Sequence, residues 1–171
     1  MKILMSNDDG VFAKGLAILH ETIASEHDIT VIAPDRNCSG ASNALSLHQP
    51  LRIQRMDSGF YSVNGTPSDC VHLGISRILK DDPELVVSGI NHGANLGDDV
   101  VYSGTVAAAT EGRYMGLPAI AVSLASKKGE HFETAARVVL DIIRKLQSHP
   151  LPANQILNVN VPDIPLSLIH I

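Results

Sequence analysis

Two adjacent carboxylates near the start of the chain could perform acid, base or metal chemistry. Asp8 and Asp9 lie in the motif Ser6-Asn7-Asp8-Asp9-Gly10, directly after the largely apolar residues 1–5. Such a run predicts a buried parallel strand that ends at the two carboxylates. Ligands of open α/β sheets bind at this carboxyl edge. From the local sequence alone, a loop or helix-capping role for the pair is an equally good interpretation.

Other predicted strands also end at side chains that carry oxygen atoms. Ser39 lies in the polar segment after the second strand, and Asn91 follows a later strand. Two carboxylates, a hydroxyl and a carboxamide form a hard-oxygen set that suits Mg²⁺ or Mn²⁺ better than zinc. Two charged carboxylates about 4 Å apart would repel each other by roughly 4 kcal/mol at an effective dielectric constant of about 20. Asp8 and Asp9 would therefore need a proton or a metal ion between them.

A hydroxyl-glycine-hydroxyl turn provides a second signal. Ser103-Gly104-Thr105 leads into the alanine-rich segment 106–109, which predicts a helix. The free amides and the positive dipole end of such a helix suit a phosphate group. The alternative is that Ser103 or Thr105 is an ordinary N-cap and that the alanines pack closely on the sheet. Neither a Walker P-loop nor a G-x-G-x-x-G motif occurs in the sequence, so any nucleotide recognition is of another kind.

Apolar segments alternate between strand-like and helix-like spacing along the chain. The predicted strands cover residues 1–5, 29–33, 85–87, 119–122 and 156–159, with short extended pieces at 51–54 and 60–63. The predicted helices cover residues 16–23, 66–78, 105–115 and 131–147. Thr66 and Asp69 are expected to begin the second helix as a capping box, with Pro67 in its first turn. The alternation predicts an α/β fold, with a mostly parallel sheet between two helical layers.

Composition excludes several classes of protein. The 171 residues suit one domain, and the net charge of −5 with scattered lysines and arginines argues against a face that binds a nucleic-acid polymer. No apolar run is long enough for a membrane span, and the acidic start does not resemble a signal peptide, so we expect a cytoplasmic protein. Cys38 and Cys70 are too far apart for a C-x-x-C motif, and we expect two free thiols.

Segments along the whole chain resemble the stationary-phase survival protein SurE family. They are SNDDG at 6–10, APDRN at 33–37, SGASN at 39–43, GTPSDCV at 65–71, SGIN at 88–91, NLGDD at 95–99 and YSGTVAAA at 102–109. The similarity runs from Lys2 to near Leu166 in one unbroken order. The resemblance implies a Rossmann-like three-layer fold and a metal-dependent phosphatase that acts on nucleoside monophosphates.

The resemblance also implies roles for individual residues. The ligands of one divalent metal ion, Mg²⁺ or Mn²⁺, would be Asp8, Asp9, Ser39 and Asn91. The residues around the bound phosphate would be Asn43, Asn95, Ser103, Gly104 and Thr105. Asp8 is in addition the candidate catalytic residue, as a base or a nucleophile. Lys14 stands where the family usually has proline, which changes only a loop.

The end of the sequence departs from the family pattern. By the resemblance, members continue beyond residues 161–165 with further strands and a hairpin exchanged between subunits, whereas this sequence ends at residue 171. We therefore expect residues 1–171 to form a single domain that is incomplete at the C-terminus and lacks the hairpin region. No partner is evident for four apolar residues of the tail, Leu166, Leu168, Ile169 and Ile171. We expect them to promote non-specific association instead of the homo-oligomer of the family.

The sequence as a whole predicts hydrolysis of nucleoside monophosphates to nucleoside and phosphate, as in a 5′-nucleotidase. One alternative is an aspartyl-phosphate phosphatase, which also has an acidic strand end but expects Asp-x-Asp where this chain has Asp8-Asp9-Gly10. The other alternative is a non-catalytic nucleotide-binding domain, which an incomplete C-terminus would favour.

Overall fold

A computed structural model describes residues 1–169. The strands are β1 (Lys2–Ser6), β2 (Asp28–Pro34), β3 (Ile53–Arg55), β4 (Tyr61–Val63), β5 (Leu85–His92), β6 (Ala119–Leu124) and β7 (Ile156–Val161). The helices are α1 (Lys14–Ile23), α2 (Pro67–Leu73), α3 (Gly104–Tyr114) and α4 (Phe132–Leu146). A π-helical turn, Gly74–Ile78, follows α2, and 3₁₀ turns occupy Gly97–Val101 and Leu166–Leu168. None of the helices in this part of the chain is long and apolar enough to cross a membrane.

The strands of the described chain form one sheet in the order β3-β4-β2-β1-β5-β6-β7. Neighbouring strands are parallel, except that β3 and β4 are antiparallel. The predicted α/β fold with a mostly parallel sheet is therefore confirmed. The chain builds one half of the sheet outward from β1 and then returns to begin the other half at β5. Ligands of such sheets bind in the crevice at this reversal, beside the carboxyl ends of the strands.

Two hydrophobic cores hold the helical layers on the sheet. On one face, α1 and α4 pack together over side chains that include Ile3 and Met5. On the other face, α2 and α3 pack together over Leu4 and Ile32. Alternate residues of a strand point to opposite faces, and here both faces are covered. The central strands are apolar on both sides for this reason.

Local signals that the sequence predicts are present around α2. The Thr66 hydroxyl accepts a hydrogen bond from the Asp69 N–H, and the Asp69 carboxylate accepts one from the Thr66 N–H, so the predicted capping box is confirmed.

Cys70 is buried within α2, and Cys38 is half-buried in the loop after β2. Both cysteines are free, as expected.

Several strands extend further than the apolar pattern predicts, among them β5 and β7. β5 continues to His92, five residues beyond the predicted end, although residues 88–92 are mostly polar or glycine. β7 continues to Val161 and includes Asn158 and Asn160. Backbone pairing with β6 maintains both strands where their side chains no longer follow the apolar pattern. These extensions carry polar side chains to the carboxyl edge of the sheet.

The C-terminal segment departs in part from its expectation. β7 is an edge strand of the sheet and pairs with β6. Ile169 packs against the core formed with α1 and α4, so the expectation that it lacks a partner is wrong. Leu166 and Leu168 are exposed, and Ile171 lies outside the described residues.

Candidate functional site

The loops after β1, β2 and β5 and the start of α3 surround a cavity of about 310 Å³. Its lining contains five of the site residues predicted from the sequence, Asp8, Ser39, Asn91, Asn95 and Ser103. It also contains six residues that were not predicted, Gly40, His92, Gly93, Ala94, Asp99 and Tyr102. Loops from separate strands meet here because the carboxyl ends of parallel strands share one edge of the sheet.

Asp8 is buried and held by two neighbouring segments. Its backbone C=O accepts a 2.7 Å hydrogen bond from the Cys38 N–H, which ties the loop after β2 to the end of β1. Its carboxylate Oδ1 accepts a 2.5 Å hydrogen bond from the Thr105 hydroxyl in the first turn of α3. A Cβ at Gly104 would lie only 2.7 Å from the Asp8 Cβ. The absence of a side chain at Gly104 therefore lets α3 begin directly against this carboxylate.

The electrostatic environment of the two carboxylates favours a bound cation. Asp8 is only 4% exposed. Burial raises the pKa of the Asp8 carboxyl, and the Thr105 hydroxyl and nearby backbone N–H groups offset this only in part. Burial also raises the pKa of Asp9, and the negative charge of Asp8 raises it further. Such a pair is stabilised at neutral pH by a cation or by a shared proton.

The turn after β1 is closed by one of its own side chains. The Asn7 carboxamide donates a 2.9 Å hydrogen bond to the Gly10 C=O and accepts one of 3.3 Å from the Gly10 N–H. Gly10 has a φ of +101°, which favours glycine, and a Cβ there would lie 3.1 Å from the Arg36 backbone. This turn sets the directions in which Asp8 and Asp9 leave the strand.

Asp9 is half-buried and connects the ends of β1 and β5. Its Oδ2 accepts a 3.2 Å hydrogen bond from the His92 N–H. Asp9 lines a second cavity, of about 220 Å³, beside the first. His92 lines both cavities, so Asp9 lies next to the first cavity without belonging to its lining.

The Ser39 hydroxyl and the Asn91 carboxamide both donate hydrogen bonds within the protein. Lone pairs on their oxygen atoms therefore remain for a ligand. The Ser39 hydroxyl donates to Asn37 Oδ1 at 2.6 Å. The Asn91 Nδ2 group donates to the Gly93 C=O at 2.8 Å. β5 shifts its register against β6 between Ser88 and Asn91. An irregularity of this kind re-aims side chains at the edge of a sheet.

The donor set fits a hard divalent cation. Within residues 1–169, no third histidine, cysteine, aspartate or glutamate joins Asp8 and Asp9 in a metal-binding group. The remaining predicted ligands, Ser39 and Asn91, offer neutral oxygens. A set composed only of oxygens suits Mg²⁺ or Mn²⁺, and a charge of +2 would offset the repulsion between the carboxylates. The four residues therefore fit such an ion, and their role as its ligands stays a prediction.

Asn95 is held by a polar network that sequence reasoning missed. Its backbone N–H donates to Asn160 Oδ1 at 2.8 Å, and its Nδ2 donates to Ser123 Oγ at 2.8 Å. Its C=O accepts hydrogen bonds from the Nδ2 groups of Asn158 and Asn160. A signal existed, because two asparagines at alternate positions of a strand lie on the same face and are unusual there.

The residues predicted to bind phosphate do not all reach the cavity. Ser103 lines it and is the N-cap of α3, where its hydroxyl accepts a 3.1 Å hydrogen bond from the Val106 N–H. Gly104 and Thr105 are buried against Asp8 and are not lining residues. Asn43 is exposed in the long loop after β2 and is also not a lining residue. Direct phosphate contact is therefore best supported for Ser103 and Asn95.

Comparison with known proteins identifies the family of the chain. The family model described as Survival protein SurE matches residues 3–170. The chain belongs to the SurE family. A solved relative, described as the crystal structure of the SurE protein from Aquifex aeolicus, has a TM-score of 0.93 and 44% sequence identity to this chain. That similarity covers 98% of this chain and 68% of the Aquifex SurE chain.

Curated SurE proteins are similar over nearly the whole chain. The 5′-nucleotidase SurE of Pseudoalteromonas atlantica is 72% identical over 165 residues, which cover 96% of this chain and 66% of that protein. The 5′-nucleotidase SurE of Legionella pneumophila, strain Corby, is 58% identical over 170 residues, which cover 99% of this chain and 68% of that protein. The chain thus spans 66% to 68% of the length of these SurE proteins.

Proposed function

We propose that this SurE family member hydrolyses nucleoside monophosphates to a nucleoside and inorganic phosphate with one divalent cation, Mg²⁺ or Mn²⁺. The observation that carries the proposal is the buried carboxylate Asp8, with Asp9 beside it, at a cavity that also contains the N-cap of α3. A substrate phosphate and two carboxylates repel one another, so a cation among them stabilises all three. The relatives named 5′-nucleotidase SurE support the same activity.

The reaction needs a cation site and a group that moves a proton. Asp8, Asp9, Ser39 and Asn91 would hold the cation, which supplies positive charge to a phosphoryl oxygen and increases the acidity of water. Hydrolysis forms a bond between a water oxygen and phosphorus and breaks the bond from phosphorus to the nucleoside oxygen. Asp8 is the candidate base, because its carboxylate lines the cavity in which the attacking water would lie. The same proton can then pass to the departing nucleoside oxygen.

Two side chains of the cavity have donors left for a phosphate. The Ser103 hydroxyl accepts from the Val106 N–H, which leaves its own proton free to donate. The Asn95 Nδ2 group has two hydrogens, and one of them is directed to Ser123 Oγ. The positive end of the α3 dipole lies at Ser103 and adds a favourable field for an anion. Phosphate contacts of Gly104, Thr105 and Asn43 remain predictions. Because Gly104 and Thr105 lie against Asp8, we expect their main role to be to position that carboxylate.

A phosphate-release panel tests the activity. The wild-type chain is incubated with nucleoside monophosphates that differ in base and in phosphate position, with Mg²⁺, with Mn²⁺ and with excess chelator. We expect release only in the presence of a divalent cation. Nucleotide binding without release under any of these conditions would favour the non-catalytic alternative. Isolation of a covalent phosphoenzyme on Asp8 would favour the aspartyl-phosphate alternative.

We also propose that the protein acts in the cytoplasm. The free thiols of Cys38 and Cys70 suit a reducing compartment. The family resemblance implies a homo-oligomer, whereas the sequence of the tail predicts non-specific association. Sedimentation of the purified chain distinguishes the two.

A further inference from the structure

We propose that Tyr102 determines the specificity of the site for substrates with an aromatic base, by stacking its ring on that base. The proposal rests on the proposed function, because it names the part of a nucleoside monophosphate that Tyr102 would recognise. The tyrosine lines the cavity that contains Asp8, yet 66% of it is exposed. It therefore stands at the mouth of the cavity, between the buried carboxylate and solvent.

The size of the cavity places the base at this mouth. Cavities that bury most of a small ligand measure about 300 to 1,000 Å³, and this one, at about 310 Å³, is at the lower limit. A phosphate at Ser103, the residue after Tyr102, would occupy the inner part together with the sugar. The attached base would then extend outward, past the exposed ring. The Asp99 carboxylate also lines the cavity and can accept hydrogen bonds from sugar hydroxyls.

Backbone hydrogen bonds fix the position of Tyr102 although its ring is exposed. Its N–H donates to the Asp99 C=O at 3.1 Å, and its C=O accepts a 3.2 Å hydrogen bond from the Ser42 N–H. The Ser42 hydroxyl donates to the neighbouring Val101 C=O at 2.8 Å. The segment is thus tied both to its own turn and to the loop after β2. Because the backbone of Tyr102 is already fixed, stacking of a base on its ring costs little backbone entropy.

The test compares adenosine monophosphate with ribose 5-phosphate, which has the same sugar phosphate without a base. We expect the wild type to prefer adenosine monophosphate in kcat/KM. Tyr102→Ala should lower this preference by about 5- to 150-fold, the range for stacking of one base on one aromatic side chain. Tyr102→Phe keeps the ring and should keep the preference.

Tyr114→Ala is the matched control, because Tyr114 is 69% exposed at the opposite end of α3. We expect this variant to have the wild-type preference. Calorimetric titration of each variant with the two compounds gives a second readout that does not depend on turnover. Absence of hydrolysis in the wild type would contradict the proposed function, whereas tighter binding of adenosine monophosphate that Tyr102→Ala removes would still support the stacking role. Equal preference in the wild type and Tyr102→Ala, in binding and in turnover, would overturn it.

Discussion

The hydrogen bond between Thr105 and Asp8 allows a direct test of how the site is built. Both residues are buried, and Thr105 Oγ1 donates to Asp8 Oδ1 at 2.5 Å. The substitution Thr105→Val keeps the shape of the side chain and removes the donor. A hydrogen bond to a charged group contributes roughly 1.5 to 3 kcal/mol, so we expect the free energy of unfolding to fall by about that amount at neutral pH.

The size of this loss should depend on pH, because the hydroxyl stabilises the charged form of Asp8. Burial raises the Asp8 pKa above its ordinary value of 3.8, and loss of the hydroxyl would raise it further. Because the pKa of Asp8 is higher in the folded than in the unfolded state, the folded state binds the proton more tightly. The resulting stability is fully present below the unfolded pKa and is lost as pH rises through the folded pKa. The difference between wild type and Thr105→Val should therefore shrink on acidification, toward the roughly 0.5 to 1.5 kcal/mol of a neutral hydrogen bond.

The assay is urea unfolding at a series of pH values, together with titration of the folded protein with Mn²⁺. Thr134→Val is the control, because the buried Thr134 hydroxyl donates to the uncharged Ile164 C=O at 2.9 Å. The loss of stability in Thr134→Val should not change over the pH range in which Asp8 titrates. Partners that orient metal ligands typically contribute about 10- to 100-fold to metal affinity, so Thr105→Val should weaken Mn²⁺ binding by about that factor and Thr134→Val should not.

Two outcomes would refute this reasoning. A loss of stability in Thr105→Val that does not change with pH, with unchanged Mn²⁺ affinity, would show that the hydroxyl does not support Asp8. Weaker phosphate binding with intact Mn²⁺ affinity would show that the hydroxyl faces the anion instead.

Further predictions concern the same carboxylate. In the absence of metal, Asp8→Asn should be more stable than wild type at neutral pH, because the raised Asp8 pKa reflects a buried charge, and this gain should vanish below the ordinary aspartate pKa of 3.8. Urea unfolding at both pH values measures it, and a gain that persists at low pH would contradict it. Gly104→Ala should lower stability by about 1 to 3 kcal/mol and weaken Mn²⁺ binding, since its Cβ would lie 2.7 Å from the Asp8 Cβ. Wild-type values for Gly104→Ala would show that α3 can move away.

The parts of the structure that could be predicted are those encoded by local patterns. Apolar runs that alternate with amphipathic segments require a parallel sheet covered on both faces, and this topology brings Asp8 and Asn91 to one edge. The capping box of Thr66 and Asp69 is a spacing rule within one helical turn, so it could be seen without any tertiary information.

The parts that could not be predicted depend on distant contacts. Whether the Thr105 hydroxyl faces an anion or Asp8 is decided by the approach of α3 to the turn after β1, and the sequence around Thr105 does not contain that information. The place of Asn43 depends on the path of a long loop, which leaves this residue exposed and outside the lining of the cavity. Asn158 and Asn160 were missed because their partner, Asn95, is more than sixty residues away in sequence.

The most direct test of the central claim is a titration of wild type and Asp9→Asn with Mn²⁺, followed by phosphate release from adenosine monophosphate on the same samples. We predict that the wild type binds one Mn²⁺ per chain and releases phosphate, and that Asp9→Asn loses both properties while it remains folded. Asp82→Asn, at an exposed aspartate before β5, is the control and should keep both properties. Metal affinity and phosphate release in Asp9→Asn equal to those of the wild type would contradict a metal site built on these two carboxylates.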